Sequence, residues 1–209
     1  MENNYVLEEI TYTKKKKFLF ELKDILAGTA FPFIISVLFS ATIIAYSAYR
    51  EDLGVSLLAL IGGEALFIIS LVIFGRANGA AAYRKFVLND KKRQLGSSDE
   101  RAVYRTGEYA LWKGALIGFL ITVPFIIIQI IELIASNVFC SFCLEYIFAW
   151  AYCPFSYLGE EYEALSFIMV LMPVAVHMLA YYLGKIKEEK IQEQIAIESE
   201  KAKKKKRRK

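Results

Sequence analysis

A single histidine and three cysteines leave this chain short of the ligand sets on which metal sites are built. Structural zinc takes four ligands, whereas here three sulfurs stand near one another and the only imidazole, His177, stands elsewhere. Neither a metal nor a cofactor is expected. The glycines Gly75, Gly79, Gly96 and Gly107 are too scattered for the loop that cradles a nucleotide phosphate. The most informative lack is of charge. Four long segments, 25–49, 53–74, 110–135 and 165–183, carry no lysine or arginine in their middles, which excludes a large aqueous domain.

What fills those segments is oil. Apolar residues make up 56% of the 209, gathered into runs near the ~20 residues that span ~30 Å of hydrocarbon. The runs are apolar on every face, so they read as helices and not as the short alternating strands of a barrel. The first is too long for the apolar core of a signal peptide and begins too far into the chain. The expected fold is all-α: a polytopic integral membrane protein with four transmembrane helices.

Orientation follows from lysine and arginine, which are retained on the cytoplasmic side. On the four-helix reading, 25 of the 26 basic residues fall on one side, leaving Arg50 opposite, beside Glu51 and Asp52. Both termini are therefore expected in the cytoplasm. A bacterial plasma membrane is the expected setting, and the same rule operates in the endoplasmic reticulum. The chain divides into a Lys-rich lead (1–24), a transmembrane domain (25–183) and a basic tail (184–209). Within the domain lie a basic cytoplasmic loop (75–113) and an aromatic outer loop (136–163).

The Ala-rich start of the cytoplasmic loop predicts a helix to about Leu88, with turn chemistry at Asn89, Asp90 and Gly96. Ser97 followed by Glu100 predicts a capping box for a second helix, giving a basic hairpin that projects from the membrane. The outer loop gathers Phe139, Phe142, Tyr146, Phe148, Trp150, Tyr152, Phe155, Tyr157 and Tyr162 with no basic residue. Rings with polar tips suit the bilayer interface, so this loop reads as a flap over the outer end of the bundle, with an aromatic binding surface as the rival.

Cys140, Cys143 and Cys153 all lie in that loop. A Cys-x-x-Cys on an oxidising face suits a structural disulfide, free thiols or a redox dithiol. His177, close after Pro173 in the fourth helix, reads as a hydrogen-bond partner of a neighbouring helix before it reads as a ligand or proton relay.

Glu64 is the strongest hint of function. It follows Gly62 and Gly63 near the middle of the second helix, where a carboxylate costs ~2.5–3.5 kcal/mol and so faces the bundle interior, protonated or paired. Gln129, Glu132 and His177 are its candidate partners along a substrate or ion pathway. Gly75 with Gly79, and Gly114 with Gly118, form small-xxx-small pairs that predict close approach of the second and third helices. The run Lys203, Lys204, Lys205, Lys206, Arg207, Arg208, Lys209 reads as a disordered polycation. It suits anionic inner-leaflet lipid, with RNA or a ribosome as the rival partner.

No motif names a reaction, so an enzyme is not the expected reading. The leading expectation is an accessory or scaffold subunit, a homo-oligomer or the companion of another membrane protein, working through helix packing and a basic cytoplasmic face. A small oligomeric proton- or cation-coupled transporter centred on Glu64 is the alternative. A membrane thiol oxidoreductase using Cys140 and Cys143 comes third.

Overall fold

The computed structural model describes residues 2–47, 53–96, 98–156 and 160–207. Arg50, Glu51, Asp52, Ser97, Tyr157, Arg208 and Lys209, which carry expectations above, lie outside the described residues. Among the described residues seven α-helices follow in order: α1 (Glu2–Ser47), α2 (Leu53–Gln94), α3 (Glu100–Val103), α4 (Leu111–Ala135), α5 (Val138–Tyr146), α6 (Ala149–Ser156) and α7 (Leu171–Arg207). A 3-10 segment, Glu160–Val170, leads into the last. Four helices are long and apolar enough to cross a membrane. The short pair α5 and α6 is bent by 98° at its break.

The core is apolar, built on Ile43, Phe67, Leu71, Ile121 and Phe125, but polar side chains share it and large apolar ones face outward. The buried faces carry Thr29, Ser36 and Ser40 on α1, Ser70 on α2, Thr122 and Gln129 on α4 and His177 on α7. The exposed faces carry Phe31, Ile34, Leu38, Leu58, Ile61, Ile69, Ile73, Ile127, Ile130 and Ile134. A water-soluble monomer rarely exposes apolar area on this scale, whereas a bundle solvated by lipid does so on every helix.

Close approaches define the registers. α1 and α2 are antiparallel neighbours, with Ile43 against Gly63 and the Asn78 Nδ2 donating to the Gly28 carbonyl at 3.2 Å. α2 and α7 run parallel: Gly75 meets Ala180 and the His177 carbonyl, Gly79 meets the Tyr181 backbone, and Gly184 meets the Arg76 backbone. α4 runs antiparallel to α7, with Gly114 on the Tyr181 ring and Gly118 on the Pro173–Val174 backbone. Both glycine pairs thus serve contacts with α7 and not, as the sequence suggested, contact between the second and third spans. A stripe of small residues says that a helix can be approached closely, but not by which neighbour.

The element ends differ further from expectation. α1 runs as one helix from Glu2 in the Lys-rich lead through Pro32 to Ser47. α2 does not stop near Leu88 but continues to Gln94, because nothing in its Ala-rich stretch breaks the helix. No hairpin projects: α3 is a single turn capped by the Asp99 side chain, and the chain then leaves helical space at Arg105 (φ 55°) and Gly107 (φ 72°). The tail is helical through Arg207 and not a disordered polycation. Helix-favouring Ala, Glu, Gln and Lys with i,i+4 contacts sustain its start, the Lys185–Glu189 pair at 2.5 Å and Gln192 donating to Glu188 at 2.9 Å.

The aromatic loop divides in two. Trp150 is fully buried, tilted against Phe67 at 4.8 Å and Phe125 at 6.0 Å, so α6 plugs its end of the bundle from within. Phe139, Phe142 and Tyr146 remain exposed on α5, the last two stacked at 4.5 Å.

Candidate functional site

At the basic end, four elements are tied together by ion pairs between residues far apart in sequence. Lys113, buried at the start of α4, pairs with Glu21 of α1 and donates to the Glu108 carbonyl at 2.8 Å. Lys85 of α2 pairs with Asp24 at 3.0 Å. The Gly107 amide donates to Glu21 at 3.1 Å, and a Cβ at Gly107 would collide with Asp24 and Lys85. The loop after α2 is therefore docked on α1, further held by Lys16–Glu100 at 2.8 Å and by the Arg101 guanidinium 5.0 Å above the Phe20 ring.

A second knot lies beneath this loop. The buried Glu108 carboxylate accepts from Arg93 at 2.5 Å and forms an ion pair with Arg105 at 3.3 Å. Asn89 donates to the Thr106 carbonyl at 3.3 Å and to Glu108 at 3.4 Å. Asn89 thus does not start a turn, as its residue type suggests; it supplies donors to carbonyls that the irregular loop would leave unmet. Lys92 and the Arg101 amide both hydrogen-bond Asp99, in that order of effect, and hold its carboxyl below the usual range. A depressed carboxyl stabilises the loop above the unfolded pKa of ~3.9 and loses that contribution as pH falls through its folded value. Exchange of the Arg101 amide should therefore be slow and pH-normal above pH ~4 and accelerate below it, as followed by hydrogen exchange.

The mid-bundle residues are not brought to one point. Glu64 lies at the edge of the inner face of α2, half-buried, one turn from Leu60 and Phe67. Gln129 is buried one turn beyond Phe125, which shares Trp150 as neighbour with Phe67, so Gln129 and Glu64 sit near the same level. His177 packs beside Gly75, eleven residues further along α2, roughly 16 Å along the axis at 1.5 Å per residue. Glu132 turns to the aromatic end, where one oxygen accepts from Ser141 of α5 at 2.7 Å. One oxygen each of Glu64, Gln129 and Glu132, both His177 ring nitrogens and the Trp150 indole nitrogen are buried without a hydrogen-bond partner among the described residues.

Four of the inner hydroxyls bond their own helices. Thr29 donates to Ile25, Ser36 to Phe33, Ser70 to Phe67 and Thr122 to Phe119, all at 2.7–2.9 Å. Such back-bonding lets a hydroxyl lie in an apolar bundle without water.

Cys140 and Cys143 are buried on one face of α5, and no disulfide joins the three cysteines. Among the described residues no cluster of His, Cys, Asp and Glu could hold a metal ion. Of the terminal run, Lys203 to Arg207 continue α7, and the side chain described there, Lys204, is exposed. Comparison with protein-family models, curated proteins and solved structures gives no match. Sequence reading missed Glu21, Asp24, Lys85 and Glu108. The one signal that pointed to them is Lys113, a cation placed just inside an apolar run.

Proposed function

We propose that this chain is a four-span membrane scaffold, with its basic end and both termini in the cytoplasm, that assembles with a second copy or a companion membrane protein. The observation that carries this reading is how the interior is filled. Glycines on α2, α4 and α7 bring helix backbones together, Trp150 plugs one end, and the hydroxyls of Thr29, Ser36, Ser70 and Thr122 are turned onto their own backbones. These are properties of a packed bundle and not of a water-lined path. On this reading Glu64, half-buried on α2, hydrogen-bonds a helix of the other chain. α7 extends beyond its apolar part as a basic helix, a surface suited to anionic inner-leaflet lipid.

A second reading, a proton- or cation-coupled transporter, draws support from the unpartnered oxygens of Glu64 and Gln129 at one level of the bundle. Two substitutions separate the readings. If Glu64 serves association, Glu64→Gln is nearly silent and Glu64→Leu weakens detergent-resistant assembly, by roughly 0.6–2 kcal/mol per interhelical hydrogen bond. If Glu64 serves transport, Glu64→Gln assembles normally and abolishes proton-coupled uptake in vesicles. The scaffold reading predicts no such uptake in wild type or either variant.

A further inference from the structure

A cavity of about 220 Å³ opens at the level where the apolar part of the bundle gives way to charge. Its lining joins the polar Asp24, Lys85, Lys113, Asn78 and Tyr181 to the apolar Ile25 and Ile117. Of the lining residues, Ala27 of α1 and Ala81 of α2 are small and exposed, and they mark its mouth between those two helices. Beyond the mouth, toward the aromatic end, the seam between the same helices is covered by Phe31 stacked on Phe74 at 6.1 Å, with Phe31 exposed. Polar lining groups, small-residue mouth and apolar seam follow one another in the order of headgroup, glycerol and acyl chain.

The charges decide which headgroup. Lys85 is paired with Asp24 in the lining, and Lys113 with Glu21, which lies outside the lining, so each cation of the cavity already has a carboxylate partner. An anionic headgroup would add an uncompensated negative charge to this balanced set. A zwitterionic one can enter the half-exposed Lys85–Asp24 pair, its phosphate on Lys85 and its ammonium on Asp24, exchanging one ion pair for two. We infer that this cavity between α1 and α2 is a binding site for a phospholipid with a phosphate and a primary ammonium in its headgroup, such as phosphatidylethanolamine.

The inference rests on the membrane reading, and the test keeps the two apart. The full chain is extracted, washed in mild detergent, offered equimolar phosphatidylethanolamine and phosphatidylglycerol, and its retained lipid counted by native mass spectrometry. Wild type should hold about one phosphatidylethanolamine in preference to phosphatidylglycerol, and Lys85→Met should hold at least about fivefold less. Ala81→Trp, at an exposed position that needs no repacking, should lower retention as far by filling the mouth, with Ile134→Trp on a distant exposed face unchanged. Equal retention by wild type and Ala81→Trp, or preference for phosphatidylglycerol, would overturn the site. Thermal protection by inorganic phosphate or ethanolamine alone, equal to that by lipid, would overturn it in favour of a small-ion cleft. A chain recovered in the aqueous phase without detergent would overturn the membrane reading itself. A chain that needs detergent while its variants keep their lipid would overturn the site alone.

Discussion

Gly79→Leu is expected to separate α7 from α2 and to remove the folded bundle from detergent extracts. A Cβ at Gly79 would overlap the Tyr181 carbonyl, and backbone cannot swing aside as a side chain can. Overpacking ordinarily costs about 1–3 kcal/mol, and a leucine pressed onto backbone belongs at or beyond the top of that range. Gly184→Leu meets the Arg76 backbone across the same seam and should behave alike. Gly62→Leu is the internal control, because a Cβ there meets nothing. Size-exclusion profiles and thermal melts of the three variants check this. A melt of Gly79→Leu equal to that of Gly62→Leu would mean that α2 and α7 do not meet at Gly79.

Glu108→Ala should release the loop after α2. The substitution deprives Arg93, Arg105 and Asn89 of a shared buried acceptor and leaves their donors facing one another. Removing one partner from a buried charged network is far more damaging than its net contribution suggests, since the remaining charge stays desolvated. Trypsin reads the result, because Arg101 and Arg105 lie within the loop. Cleavage there should rise by at least about tenfold, as expected for a loss of ~1.4 kcal/mol in local closure. Glu108→Gln should fall between, keeping an acceptor for Asn89 while losing the charge that holds both guanidiniums. The four apolar spans do not depend on this knot, so helical content should stay unchanged.

The four apolar helices were legible because an uncharged run of span length has few alternative fates. Their ends were not. α2 outruns its apolar part by some five turns of polar helix, and that continuation depends on helix propensity and on side chains such as Arg84, which reaches Glu188 at 2.9 Å. Ser97 and Glu100 matched a capping pattern, yet the single turn at Glu100–Val103 is capped by Asp99. Short motifs of this kind compete with tertiary contacts that only the fold reveals. Glu64 and Gln129 were recognisable as polar groups in apolar runs, but the register that separates His177 from them depends on which helix the glycines of α2 approach. The pairing of Lys113 with Glu21 joins residues 92 apart, a distance no local pattern bridges.

On the proposed orientation the basic and aromatic ends lie on opposite sides of a membrane, the basic end inside. Single cysteines at Ser98, exposed in the basic-end loop, and at Glu145, exposed at the end of α5, test it directly in a background lacking Cys140, Cys143 and Cys153. In intact cells a membrane-impermeant thiol reagent should label Glu145→Cys and spare Ser98→Cys, and permeabilisation should make both reactive. Labelling of Ser98→Cys in intact cells, or equal labelling of both before permeabilisation, would contradict the account.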